Sequence, residues 1–164
     1  MYKEGLPELL SVVNLSVEIN KLPIWVSDCD MLVIPVHVSN VQKTWNRYPI
    51  DEMSVRFPLA YGHFKKMQDA AMIEPGVPVV TVGLESKDIC WLPITTDARR
   101  RYKIEWIERG VRKMAAMRLH VSHSIAFPAL GVYEGEGVDP TDVYKIVSKT
   151  LGPGSKKVEF LLNF

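Results

Sequence analysis

A chain of 164 residues is long enough to bury a sizeable core and is expected to form a single domain over 1–164. Its 47% hydrophobic and 24% charged residues are those of an ordinary globular protein and argue against disorder. A net charge of +1 argues against a protein held to nucleic acid by phosphate contacts, although Arg99, Arg100, Arg101 and Lys103 form a local positive run.

Met1 to Leu10 holds Lys3, Glu4 and Glu8 and no apolar core, so no signal peptide is expected. No stretch approaches the roughly 18 uncharged residues that a bilayer span requires. Cys29 and Cys90 make neither a disulfide framework nor a CxxC pair. Each reads as a small buried side chain in a reducing compartment, and a cytoplasmic location is expected.

Ser11 to Ile19 is β-rich, with Val12, Val13, Leu15, Val17 and Ile19. Met31 to Val38 is a second apolar run. Pro35 cannot donate to a sheet ladder, so regular pairing is expected to end near Ile34, with a loop from His37 to Pro49. Pro58 to Met72 reads as a helix with proline in its first turn and a stripe of Ala60, Phe64, Met67 and Ala71, ended by Pro75-Gly76. Val77 to Val82 and Ile89 to Ile94 are two short strands. The longest helix follows Thr95-Thr96-Asp97, any of which can cap it, and buries Ile104, Ile107, Val111, Met114 and Ala115.

Ser124 to Leu130 is a buried strand that leads into a glycine-rich loop, Gly131-Val-Tyr-Glu-Gly-Glu-Gly137. Asp139-Pro140 is a helix start, an N-cap with proline at the next position. Val143, Ile146, Val147 and Leu151 form the apolar face of that helix, Gly152-Pro153 ends it, and Lys157 to Phe164 is a last strand. Strands and helices therefore alternate. That pattern favours an α/β fold with three layers: a mixed, mainly parallel sheet with helices on both faces. Ligands of such sheets sit beyond the carboxyl ends of the strands, where the His37 and Gly131 loops begin.

Three pieces of the C-terminal half carry a resemblance to a known family. These are Trp91-Leu-Pro-Ile-Thr-Thr with Ile104-Glu-Trp-Ile-Glu-Arg-Gly110, then Ser124-Ile-Ala-Phe-Pro-Ala-Leu-Gly131, and then Gly131 to Gly137 with Val138-Asp139 and Asp142-Val143. They resemble macro domains, the fold that binds ADP-ribose, and especially the group that removes ADP-ribose from nucleic acid. Val17-Glu-Ile-Asn20 and Asp30-Met-Leu-Val-Ile-Pro-Val-His37 match more loosely.

The resemblance implies that Glu18 accepts from the adenine amino group and that Phe164 stacks on the base. It places Ile34, Pro128, Leu130, Gly131, Val132, Tyr133, Gly135 and Gly137 around ribose and diphosphate. It implies no cofactor and no metal. The partner it implies is an ADP-ribose-type small molecule or an ADP-ribosylated macromolecule. For turnover it implies hydrolysis at the distal ribose, with His37 or Asn40 positioning or activating water.

The departures bear on the same residues. Ile34 and His37 stand at the positions of the family's two asparagines, and Thr95 stands where some relatives carry a lysine. Val38 to Pro49 contains no glycine, and Trp45 and Tyr48 occupy the place of the first glycine loop. Glu134 and Glu136 repel a diphosphate unless they face water, bind a ribose hydroxyl or a metal, or mark a changed ligand. His120 and His123 are three apart, with no cysteine or carboxylate close in sequence to complete a zinc set. The expectation is binding of ADP-ribose or a derivative. The rivals are a protein-interaction module that has lost the pocket and recognition of another nucleotide.

Overall fold

The run Asp88-Ile-Cys-Trp-Leu-Pro-Ile-Thr95 is apolar without alternation, as a strand covered on both faces must be. In the computed structural model, which describes residues 17–39, 50–95, 101–132 and 135–162, it is the long β4 of a six-stranded sheet. The other strands are β1 (Val17–Asn20), β2 (Met31–His37), β3 (Val79–Thr81), β5 (Ser124–Pro128) and β6 (Lys157–Leu161). Their order is β1-β6-β5-β2-β4-β3, parallel throughout except for β3 against β4. The helices are α1 (Ile50–Arg56), α2 (Pro58–Asp69), α3 (Ile104–Ala116), α4 (Leu119–Ser122) and α5 (Pro140–Leu151), with a 3-10 turn at Ile24–Val26.

Neighbouring residues of β4 reach opposite layers, since successive side chains of a strand point to opposite faces. Trp91 stacks on Phe64 of α2 with ring centroids 5.1 Å apart, and its indole N–H donates to Thr81 at 3.3 Å. Leu92 packs under α3, where a Cβ on Gly110 would lie 2.3 Å from its Cδ1. Gly110 thus lets α3 settle onto the sheet. Ile107, Val111 and Met114 complete the buried stripe of α3, and Val143, Val147 and Leu151 that of α5 beside it.

The alternating architecture is the expected one, and several boundaries differ. β2 continues past Pro35, with Pro35 registered on Leu92 and His37 on Thr95 across a bulge. Successive residues of a parallel strand bond to alternate neighbours, and the β5 side of β2 has no ladder beyond Leu32, so the missing donor does not end the strand. The α2 helix stops at Asp69, and Ala71 lies beyond it with φ of 56°, off the predicted stripe. Thr95 belongs to β4 and does not cap α3, whose N-cap is Lys103 without a side-chain cap. Asp139 does cap α5, accepting from the Thr141 N–H at 2.8 Å with Pro140 following. The short α1 and α4 lack an apolar period of their own. The 11–16 part of the first predicted strand, Asn40, Trp45, Tyr48, Thr96, Asp97, Arg99, Arg100, Tyr133, Glu134 and Phe164 lie outside the described residues.

Candidate functional site

The strand order creates the site. From β2 the chain moves on to β3 and β4 on one side of the sheet, and from β5 to β6 on the other. Such a reversal leaves a crevice outside the carboxyl ends of the two central strands. The β2–β5 ladder here registers only Met31 with Ile125 and Leu32 with Ala126. By contrast, β2 stays paired with β4 to His37, and β5 with β6 to Pro128. The sheet is therefore parted between β2 and β5 at the carboxyl edge. His37 stands on one lip and the loop after Pro128 on the other.

That loop is tightly bonded to itself and to β6. Ala129 N–H donates to Leu161 O at 2.8 Å, Leu130 N–H to Pro128 O at 2.8 Å and Val132 N–H to Ala129 O at 3.4 Å. Gly131 N–H donates instead to a side chain, the Glu136 carboxylate, at 2.9 Å. Glu136 is 2% exposed although Gly135 and Gly137 on either side of it are exposed, so the loop turns this carboxylate inward. Glycine is obligatory at Gly131. Its φ is 95°, and a Cβ would lie 2.5 Å from the Val138 carbonyl oxygen and 3.0 Å from the Pro140 nitrogen. Gly135 and Gly137 also have positive φ, with open space or only ordinary contacts around a Cβ. The backbone N–H of Tyr102 donates to Glu136 O at 2.7 Å, which holds the loop against the entry to α3.

Of the sequence-predicted residues, His37, Pro128, Leu130, Gly131, Val132, Gly135 and Gly137 come together at this edge. His37 is buried at the end of β2, and Gln68 of α2 braces the strand end by donating to the carbonyls of His37 at 3.0 Å and Ser39 at 3.3 Å. Ile34 is fully buried within β2, registered on Trp91, and Leu130 and Val132 are buried too. Glu18 stands apart: it is exposed on β1, the edge strand, separated from β5 by β6. Asn40, Tyr133 and Phe164 fall outside the described residues.

A second polar cluster escaped the sequence reading. Glu159, in the middle of β6 and 3% exposed, accepts from Asn20, from Ser27 Oγ at 2.8 Å and from Cys29 Sγ at 2.9 Å. Burial by itself raises its pKa, but the hydrogen bonds from Cys29, Ser27 and Asn20 and the charge of Lys157 together hold it below the usual carboxylate range. The donors come from residues more than a hundred positions away, so no local spacing could signal them. Asp28, Cys29 and Glu159 put one ligand atom each within 4.8 Å of one another. The chemistry there is that of a hydrogen-bond network and not of a metal centre. Burial and the neighbouring carboxylate push the Cys29 thiol up to about 12, and the exposed Asp28 already pairs with Lys157 at 3.2 Å.

Burial likewise pushes Cys90 up to about 12. Both thiols are expected to resist a thiol-exchange reagent at neutral pH and to react together on unfolding. Rapid labelling of either in the native protein contradicts that assignment.

His123 has a carboxylate partner that its sequence neighbours do not reveal. Its Nε2 lies 2.9 Å from Asp88 Oδ2, while the Asp88 Oδ1 accepts from Gly83 N–H at 3.0 Å. Asp30 and Ser124 exchange two further bonds at the same end of the sheet. These contacts tie together the amino ends of β2, β4 and β5, opposite the crevice.

By sequence the chain matches no family model and no curated protein. By structure it resembles the macrodomain of Mycobacterium tuberculosis DarG, with a TM-score of 0.74 at 20% identity over 90% of this chain and 98% of that one. The macrodomain of Thermus aquaticus DarG gives 0.72 at 18% identity over 90% and 97%. Thermosipho africanus DarTG, solved in complex with ADP-ribose, gives 0.69 at 16% identity over 90% of this chain and 41% of that one. The chain has the macrodomain fold. Among the described residues no helix is long and apolar enough to cross a membrane.

Proposed function

We propose that this macrodomain-fold chain binds ADP-ribose or an ADP-ribosyl derivative in the crevice between the ends of β2 and β5. The observation that carries the reading is the parting of the β2–β5 ladder after Leu32 and Ala126, with a loop containing three positive-φ glycines on one lip. Backbone at such a loop can approach a phosphate closely, and the crevice lies where open α/β sheets bind nucleotides. The ADP-ribose complex of a similarly folded protein supports the choice of ligand.

Binding without efficient turnover is the form we favour. Ile34 offers no polar group where the family resemblance places an asparagine. His37, with Asn40 beside it in sequence, is the group left to position a water at the distal ribose. Glu18 and Phe164 are the proposed adenine contacts, and a cytoplasmic setting is proposed with them. One observation favours a second reading, a protein-interaction module: each N–H from Ala129 to Val132 already has an acceptor within the protein.

Isothermal titration with ADP-ribose, AMP and ATP separates the two. Micromolar affinity for ADP-ribose over AMP, weakened by Glu18→Ala, is the expected result. No heat at millimolar ADP-ribose defeats the nucleotide reading and leaves the interaction module. A preference for AMP points to a ligand with fewer phosphates.

A further inference from the structure

Within the loop the four consecutive N–H groups from Ala129 to Val132 are not equivalent. Three donate to backbone carbonyls that cannot leave without remodelling β5, β6 or the turn itself. The fourth, on Gly131, donates to the Glu136 carboxylate at 2.9 Å, an acceptor on a side chain and not on the main chain. The carboxylate is an anion seated on a backbone N–H, which is the arrangement a phosphate oxygen would make there. It is buried between the exposed Gly135 and Gly137, and the Tyr102–Glu136 backbone bond fixes the place from which it reaches inward.

We infer that Glu136 is a built-in competitor of the ligand's phosphate and sets the specificity of the loop. The inference rests on the nucleotide reading of the crevice. An internal carboxylate so placed acts at an effective concentration on the order of millimolar or above. It lowers the apparent affinity of any ligand that needs the Gly131 N–H by the fraction of time the loop is filled. It also repels a diphosphate that binds beside it without displacing it. A ligand group without negative charge at that point incurs neither penalty, so the device discriminates among ligands by charge at one atom.

The opposing view is that Glu136 only staples the loop shut, in which case weakening its bond weakens binding too. The two views predict opposite signs. Glu136→Gln keeps the shape and an acceptor for Gly131 N–H but removes the charge. Glu136→Ala removes the acceptor as well. Wild type and both variants are titrated with ADP-ribose, with inorganic pyrophosphate and with adenosine, after a melting curve confirms folding.

The expected result is at least a tenfold gain in affinity for ADP-ribose and pyrophosphate in Glu136→Gln, with adenosine unchanged. Equal or lower affinity for ADP-ribose in the variant overturns the competitor and leaves the nucleotide reading standing. A gain for pyrophosphate alone supports the competitor and defeats ADP-ribose as the ligand. Binding of neither anion by any form overturns both. In the wild-type protein the Gly131 amide resonance must shift when ADP-ribose binds, and binding that leaves it in place also overturns the inference.

Discussion

Replacing Gly131 with alanine is expected to destabilise the protein by about 3 kcal/mol, the sum of left-handed backbone strain and an unrelievable overlap. The overlap is with main chain: the new Cβ would lie 2.5 Å from the Val138 carbonyl oxygen and 3.0 Å from the Pro140 nitrogen. Neither can move without shifting the Asp139 cap and the first turn of α5. The strain at φ of 95° adds to this, since side chains avoid that region of backbone space. Urea denaturation at constant m-value measures the loss, and a change below about 0.5 kcal/mol would mean that the loop relaxes freely. The same geometry makes a bulky substitution at Gly131 a poor probe of binding, because it tests the loop's survival before its ligand. Gly135, where a Cβ meets nothing within 4 Å, is the safer place to obstruct the loop.

The second large effect is expected at Glu159. Glu159→Ala should cost about 3 kcal/mol at neutral pH, the order expected when one partner of a buried, charge-assisted network is removed. Three donors, on Asn20, Ser27 and Cys29, lose their acceptor at once. The pH dependence has a definite sign. The folded protein holds this carboxyl below its ordinary range, so the unfolded chain binds the proton more readily. Its contribution is therefore complete above the unfolded pKa and fades as pH falls through the folded one. Wild type should exceed Glu159→Gln in stability at pH 7 and lose that margin steadily into acid. Denaturation curves from neutral pH down to about pH 3 check it. A margin that does not change with pH would show that Glu159 contributes through packing alone.

What could be read from the sequence divides along a physical line. The alternation of strands and helices was legible because burial on two faces leaves unbroken apolar runs such as that of β4, and burial on one side leaves the stripe of α3. The Asp139-Pro140 start of α5 was legible for a local reason, since cap and proline act within one turn. The glycine loop was legible too, with both of its carboxylates noted. What could not be read was the direction Glu136 faced. Whether Glu136 turns inward depends on φ at Gly131 and Gly137 and on the packing of Tyr102, none of which a local pattern encodes.

The extension of β2 beyond Pro35 was misjudged because the cost of a missing donor depends on which neighbour that donor would face. The Glu159 network and the Asp88–His123 pair join residues distant in sequence, so their partners are visible only in space. Glu18 illustrates the converse. A motif match places it at the adenine, and the fold puts it exposed on an outer strand.

The position of β1 also has a consequence for how the chain is made. Among the described residues its ladder is with β6, Val17 against Val158 through Asn20 against Leu161. Synthesis runs from the amino end, so a nascent chain carries Val17–Asn20 with its ladder partner still unmade until Lys157–Leu161 has left the ribosome. Closing so long a loop costs only a little more at equilibrium than closing one of half the length, but it is among the slower events in folding. The Glu159 network forms in that same late step, so the strand waiting longest for its partner is fastened through the Asn20 side chain as soon as the partner arrives.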